Sequence, residues 1–274
     1  MGGLPVTAFR TFPGVLFKRI TRLLGIKSAS KRYLSKEKAM RKLDQLILEE
    51  KIPVGCVVGI YDLPYYPPEN RFRFNGHNIC IIGKDEESGD YRVLDSNATE
   101  KVTISREDLI KVRFAKGAYP LFGQMYWIKS IPKDLPEHLQ TDKPDKEFLR
   151  PLVLKAIKDT CKNMTSQPKW FPYVGVNGIH YLAQRMRTWE QKEGKRRARI
   201  LLVQVIRMLE EIGTGCAGFR FVYGAFLQEA SERTGIAELN DYSIRITEIG
   251  DMWRDFGYKA SKAFKRRAGD DLTY

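Results

Sequence analysis

A histidine and an aspartate occupy the positions at which a nucleophilic site would hold its base and the residue that orients it. His77 opens one predicted strand, and Asp95 closes the next predicted strand, eighteen positions later. A histidine becomes a base for a thiol when one ring nitrogen faces the sulfur and the other donates to a carboxylate. A hairpin turning near residues 85–89 would bring these two side chains together. The spacing is therefore compatible with a catalytic pair, although a histidine beside a strand is more often a hydrogen-bonded structural residue.

The thiol that such a base would serve is not evident among the four cysteines, Cys56, Cys80, Cys161 and Cys216. Cys56 lies within a predicted buried strand, where burial raises a thiol pKa and no helix end is near. Cys80 and Cys161 fit small core residues. No pair has the Cys-x-x-Cys spacing, and no histidine completes a metal site. We therefore expect neither a disulfide framework nor a metal, and no cofactor.

Cys216 differs from the others because it interrupts the glycine-rich run 213–218, just before a predicted helix. Free backbone N–H groups at such a helix start, together with an arginine, can hold a phosphate or a carboxylate. The predicted anion-binding residues are Gly213, Thr214, Gly215 and Arg220. The alternative is a tight turn between two packed helices.

The first half of the chain changes its hydrophobic period at Val54. Before it, apolar residues at three-to-four spacing predict two helices, the first ending at Gly25 and the second capped by Ser35. After it, the pattern predicts an antiparallel sheet and one helix opened by Ser105. The predicted strands are Val54–Ile60, Asn78–Gly83, Tyr91–Leu94, a short one around Val102, and Gln124–Ile131.

The second half reads as helical, so the predicted fold class is α+β: a partial papain-like antiparallel sheet domain followed by an all-α helical bundle. We assign residues 1–132 to the sheet domain, 133–151 to a polar, proline-rich linker and 152–274 to the bundle. The predicted helices are Leu152–Met164, Gly178–Trp189, Lys195–Ile212, Phe219–Thr234 and Ile236–Phe264.

The chain is strongly basic, with a formal net charge of +14 and a pI near 9.6. This charge predicts attraction to polyanions such as an acidic protein, and a solvated basic surface is the alternative. The aromatic residues do not interleave with Lys and Arg, so nucleic-acid binding is not expected. No apolar run reaches the roughly 20 residues needed to cross a bilayer, and no signal peptide is recognisable. We expect no membrane association and a cytoplasmic location.

Several runs carry a resemblance to a known family. The first half resembles the N-terminal domain of the butirosin biosynthesis protein H family, a papain-like fold related to the double-glycine-leader cysteine peptidases. The second half resembles the uncharacterised domain that often follows it. The runs concerned are Pro53–Gly55, Tyr61–Tyr65, Phe74–Asn78, Leu94–Asp95, Arg113–Gly117, Gly175–Ile179, Glu210–Gly215, Phe219–Ala230 and Gly250–Arg254.

The resemblance implies a cysteine-dependent acyltransferase of secondary metabolism that passes an acyl group from a carrier-protein thioester to a small-molecule amine. His77 and Asp95 would be the second and third members of a Cys-His-Asp triad, whose thiol stands at the start of a long helix near the N-terminus of the family. No cysteine precedes Cys56, and the chain starts close to the region Phe9–Gly14 that matches the family. We therefore expect the domain to be N-terminally incomplete.

Two hypotheses follow from this expectation. In the first, the protein is an acyltransferase or thioester hydrolase whose nucleophile helix is encoded upstream. In the second, it is a non-catalytic protein that binds an acidic acyl carrier protein or a small acyl compound. A sheet without its nucleophile helix would also expose apolar surface, so we predict self-association unless residues 14–50 cover it.

Overall fold

The computed structural model describes residues 13–117, 120–140, 142–143, 145–166, 171–210 and 216–265. The chain divides into two compact units between Leu135 and Pro136. The first unit is built on a sheet and the second is helical, so the fold class is α+β.

A six-stranded antiparallel sheet forms the first unit. Its strands are β1 (Lys27–Lys31), β2 (Val54–Gly59), β3 (Asn75–Lys84), β4 (Tyr91–Asp95), β5 (Val102–Ile104) and β6 (Met125–Ser130). Their order across the sheet is β1-β6-β2-β3-β4-β5. The last strand in the sequence therefore lies between the first two, and it pairs with both.

Three helices accompany the sheet: α1 (Pro13–Leu23), α2 (Lys36–Asp44), which continues into a π-helical turn (Gln45–Glu49), and α3 (Arg106–Arg113). The predicted caps are present. The Ser35 hydroxyl accepts from the Lys38 N–H at 3.2 Å, and the Ser105 hydroxyl accepts from the Asp108 N–H at 3.0 Å. These side chains satisfy backbone donors that the first helical turn leaves unpaired.

One face of the sheet carries the core. Val54, Cys56 and Val58 on β2 are buried, as are alternate residues of β3 and β4, and α2 and α3 pack over them. The opposite face contacts α1, where the Phe17 ring lies 4.6 Å from the ring of Tyr126. Helices from residues 13–50 thus lie on both faces of the sheet.

The sequence does not predict the edge strand β1, which lies between the predicted helix end at Gly25 and the predicted cap Ser35. Its sequence, Lys27–Lys31, is polar and mostly exposed, so it shows no alternation of apolar residues. Backbone pairing with β6 creates the strand, which is a non-local cause that a local pattern does not report.

The second unit is a bundle of long helices. Its elements are α4 (Leu135–His138, at the boundary), α5 (Lys146–Thr165), α6 (Gly175–Glu193), α7 (Lys195–Glu210), α8 (Cys216–Thr234) and α9 (Glu238–Lys265). One apolar cluster centres on Trp189 and Val205, and a second on Leu227 and Leu239. No helix among the described residues is long and apolar enough to cross a membrane.

One helix boundary differs in an informative way from the one predicted. α5 begins at Lys146 rather than at Leu152, because the Asp145 carboxylate accepts from the Phe148 N–H at 3.0 Å and caps it. α8 and α9 meet closely at Gly224, where a Cβ would lie only 2.8 Å from the Thr247 hydroxyl.

Candidate active site

Neighbouring antiparallel strands bring His77 and Asp95 into contact. Asp95 stands opposite Ile79, and His77 precedes Ile79 by two residues on the same face of β3. The His77 Nε2 atom lies 2.9 Å from Asp95 Oδ1 and 2.8 Å from Oδ2. The structure thus brings the two predicted site residues together, and their catalytic role stays a prediction.

A β-bulge in β3 orients the His77 side chain toward Asp95. Val58 pairs with His77 and Gly59 pairs with Asn75, so Gly76 is an extra residue on β3. Gly76 has φ of 150°, a backbone conformation that residues with a side chain rarely adopt. Bulges of this kind redirect the side chains beside them. The glycine in the Asn-Gly-His run is therefore explained by backbone geometry.

The Asp95 carboxylate is fully enclosed and receives hydrogen bonds on both oxygens. The Tyr65 hydroxyl donates to Oδ2 at 2.9 Å, the Asn97 N–H donates to Oδ1 at 2.9 Å, and His77 Nε2 reaches both oxygens. Burial raises the pKa of this carboxyl, but the hydrogen bonds from His77, Asn97 and Tyr65 outweigh it, and the pKa falls below its usual value. Asp95 is therefore ionised at neutral pH.

Tyr66 completes the polar group around Nε2. Its hydroxyl lies 3.1 Å from His77 Nε2 and accepts from the Asn97 side-chain amide at 2.8 Å. The Tyr66 ring meets the imidazole edge-on, with 5.9 Å between the centroids. Burial raises the pKa of Tyr66 to about 12, so the phenol stays protonated.

The loop between β2 and β3 holds both tyrosines in place. The Arg71 guanidinium donates to the Tyr66 carbonyl at 2.8 Å and to the Pro64 carbonyl at 3.0 Å. Leu63, which precedes them, is fully buried in the core of the sheet unit. The Arg71 hydrogen bonds and the burial of Leu63 together hold the proline-rich turn in place.

The second ring nitrogen of His77, Nδ1, does not take part in the contact with Asp95. No hydrogen bond joins it to another residue of the described part of the chain, and the side chain is 11% exposed. An imidazole with one nitrogen bound to a buried carboxylate and the other open can act as a base through the open nitrogen.

The described cysteines of the sheet unit do not serve that nitrogen. Cys56 is fully buried, and burial raises the pKa of its thiol. Burial also raises the pKa of Cys80, which follows His77 by three positions and therefore points to the opposite face of β3. Cys161 is an exposed residue of α5 in the helical unit.

The predicted anion-binding turn is only partly within the described residues. Gly213, Thr214 and Gly215 lie outside them. Arg220 is on α8, where its guanidinium donates to the Ala217 carbonyl at 2.9 Å and lies 4.6 Å from the Trp253 ring centroid. Anion binding here stays a prediction.

The backbone before Arg220 is unusual. Ala217, Gly218 and Phe219 all have positive φ, at 57°, 60° and 69°. The Ala217 N–H, one of the donors expected to be open to an anion, instead donates to the Glu210 carboxylate at 3.2 Å. A backbone donor near this turn is therefore satisfied within the protein, which agrees with the alternative of a tight turn between two helices.

A second His–Asp contact lies in the helical unit. His138 Nδ1 is 2.7 Å from an Asp145 oxygen, and its ring stacks on Phe148 at 4.2 Å. Hydrogen bonding by the Phe148 N–H and then by His138 lowers the pKa of Asp145. Since Asp145 caps α5, this pair has a structural explanation. No group of three potential metal ligands occurs among the residues described.

The sequence does not predict three residues of the site: Tyr65, Tyr66 and Asn97. The tyrosines were read only as part of a proline-rich turn. Asn97 had a usable signal, because a residue two positions after an aspartate often donates its N–H to that carboxylate. Their meeting around Asp95 depends on how the loop between β2 and β3 folds back over β4, which spacing does not encode.

Comparison with known families places two matches on the chain. Residues 1–96 match the model described as butirosin biosynthesis protein H, N-terminal, and residues 107–274 match the domain of unknown function DUF4872. No curated protein matches the chain. The second match begins inside α3, so β6 falls within it although that strand belongs to the sheet.

Proposed function

The chain belongs to the DUF4872 family and carries a segment similar to the N-terminal part of butirosin biosynthesis protein H, and from this we propose that it is an acyltransferase of the butirosin H type. It would pass an acyl group from a carrier-protein thioester to a small-molecule amine. The observation that carries the proposal is the 2.8 Å contact between His77 Nε2 and the buried carboxylate of Asp95, with Nδ1 left open.

The proposed reaction has two steps with one base. His77 Nδ1 takes the proton of a cysteine thiol, and the thiolate attacks the thioester carbonyl. The C–S bond to the carrier then breaks, and the carrier leaves as a thiol because the imidazolium returns the proton to its sulfur. The amine then attacks the new enzyme thioester, gives its proton to Nδ1, and the cysteine is released as the thiol. Asp95 stabilises the imidazolium that forms twice in this sequence.

The basic charge of the chain supports an acidic carrier domain as the donor. With a formal charge of +14, the protein would attract a negatively charged partner and raise its association rate at low salt. The expected dependence on ionic strength is a property that an uncharged small-molecule donor would not share.

The test is a thioester assay that also traps the covalent intermediate. The protein is incubated with an acyl-pantetheine thioester and an amine, and free thiol, amide product and intact protein mass are followed. We expect release of free thiol, formation of the amide and a loss of transfer of about 10³-fold or more in His77→Ala, and peptide mass identifies the cysteine that carries any acyl adduct. His138→Ala is the matched control, because it removes the other hydrogen-bonded histidine and should leave the rate unchanged.

The competing function is a non-catalytic protein that binds a carrier domain or an acyl compound. The burial of Cys56 and Cys80, which raises the pKa of both thiols, favours it. Binding of an acyl carrier without any adduct or thiol release would establish this function and refute the acyltransferase.

A further inference from the structure

Every polar atom close to His77 Nε2 can accept a proton. Both Asp95 oxygens lie within 2.9 Å of it, and the Tyr66 hydroxyl oxygen lies at 3.1 Å. A ring nitrogen presenting a lone pair here would face the lone pairs of an ionised carboxylate, which is repulsive. Nε2 therefore carries the proton of the neutral imidazole.

The Asp95 oxygens are themselves fixed by groups that can only donate to them. The Asn97 N–H holds Oδ1, and the Tyr65 hydroxyl holds Oδ2. A carboxylate pinned on both oxygens does not rotate away from the imidazole, and its pKa stays low enough for it to remain ionised. The orientation of His77 thus depends on residues that do not touch Nδ1.

Asn97 links the two parts of this arrangement. Its backbone N–H binds Asp95, and its side-chain amide donates to the Tyr66 hydroxyl at 2.8 Å. With one lone pair of the phenol oxygen engaged, the Tyr66 proton is directed to the remaining acceptors, the Asp95 oxygens at 3.4 and 3.5 Å. The Tyr66 ring, edge-on to the imidazole, limits the tilt of His77.

We propose that Tyr65, Tyr66 and Asn97 are positioning residues that lock His77 in the tautomer protonated at Nε2 and so reserve Nδ1 as the basic atom. The proposal rests on the acyl-transfer function for its purpose, but the locked tautomer is a property of the resting protein. Tyr65 acts through Asp95, whereas Tyr66 acts on the imidazole directly. Asn97 connects the two.

The test is nitrogen-15 NMR of the histidine side chains, which is practical because the chain has three histidines. His77→Gln assigns the signals of His77. In the unaltered protein at a pH where His77 is neutral, we expect Nε2–H to dominate, with slow exchange of its proton. Losing one of these supports should lower the Nε2–H to Nδ1–H ratio about 10-fold, which corresponds to about 1.4 kcal/mol.

We expect Tyr65→Phe, Tyr66→Phe and Asn97→Ala each to shift this ratio or to speed the exchange of the Nε2 proton. Tyr61→Phe is the matched control, since Tyr61 is an exposed phenol of the same loop whose ring lies against Arg73. It should change neither quantity. Amide spectra of β3 and β4 verify that each variant is folded. Asn97→Ser, which shortens the side chain but keeps a polar group, serves if Asn97→Ala does not fold.

A dominant Nδ1–H form in the unaltered protein would overturn the proposal, as would an unchanged ratio and exchange rate in all three folded variants. These readouts are independent of the proposed function. A locked Nε2–H tautomer in a protein that forms no acyl adduct would refute acyl transfer and leave the positioning role standing. Acyl transfer by a protein whose His77 tautomers exchange freely would support the proposed function and refute the positioning role.

Discussion

Replacing Asp95 by asparagine would test the site through stability as well as rate. The substitution keeps the shape of the side chain and exchanges one acceptor oxygen for an NH₂ group. That group must face either the Tyr65 hydroxyl or the Asn97 N–H, both of which donate at 2.9 Å in the native site. At least one buried donor therefore loses its acceptor, and the charge that bound His77 Nε2 is gone.

The magnitude follows from these contacts. A hydrogen bond to a charged group contributes about 1.5–3 kcal/mol, and a buried donor left without a partner costs about 1–3 kcal/mol. We expect Asp95→Asn to lower the free energy of unfolding of the sheet unit by about 2–3 kcal/mol, a large share of the 5–15 kcal/mol typical of a domain. Transfer should fall by about 10⁴-fold, because the imidazole turns to the other tautomer.

The pH dependence has a definite direction. The pKa of Asp95 is lower in the folded protein than in the unfolded chain, where it is about 3.9. The carboxylate therefore stabilises the fold above that value, and this contribution is lost as the pH falls through the folded pKa. The difference between the native protein and Asp95→Asn should therefore shrink as the pH falls below about 5.

Amide hydrogen exchange on β3 and β4 is the suitable measurement, because the chain has two units that need not unfold together. Glu86→Gln, in the exposed turn between those strands, is the control and should change stability by less than about 0.5 kcal/mol. Equal protection in the native protein and Asp95→Asn at pH 7, or a difference that does not shrink in acid, would refute the reasoning.

Other perturbations probe the supports of the site. Gly55→Ala would place a Cβ 2.2 Å from the Tyr126 ring, so we expect a loss of about 1–3 kcal/mol in thermal or urea unfolding, and an unchanged midpoint would contradict the close packing. Arg71→Ala removes the bonds to the carbonyls of Pro64 and Tyr66, so transfer should fall while overall helicity by circular dichroism stays the same; full activity would show that the loop holds itself. Because helices from residues 13–50 lie on both faces of the sheet, we expect a monodisperse monomer in size-exclusion chromatography with light scattering, and self-association would show that apolar surface of the sheet stays exposed.

The fold and the central pair could be predicted because both depend on local patterns. The apolar run that begins at Ile79 and the alternation around Val93 indicate adjacent strands, and the polar turn between them sets an antiparallel pair. Because the start of one strand then lies beside the end of the other, His77 and Asp95 must come close together. The caps Ser35 and Ser105 were likewise local signals, and the structure confirms both.

The remainder depends on contacts between distant segments. Tyr65 lies thirty positions from Asp95, and the loop that carries it is shaped by bonds from Arg71 to backbone carbonyls, which no periodicity reports. Strand β1 exists because β6 returns beside it. The positive φ of Ala217 and Phe219 is equally unexpected, since neither residue favours that conformation.

The place of β6 also fixes an order of events during synthesis. The chain is made from its N-terminus, yet β1 finds its partner only when residues 125–130 have emerged. Until then β2 to β5 can form a meander from adjacent segments, whereas β1 waits for a strand about a hundred residues downstream, a closure that is slow because it is non-local. A shortened chain ending at residue 96, where the first family match stops, would leave β1 and the outer edge of β2 unpaired and prone to aggregation.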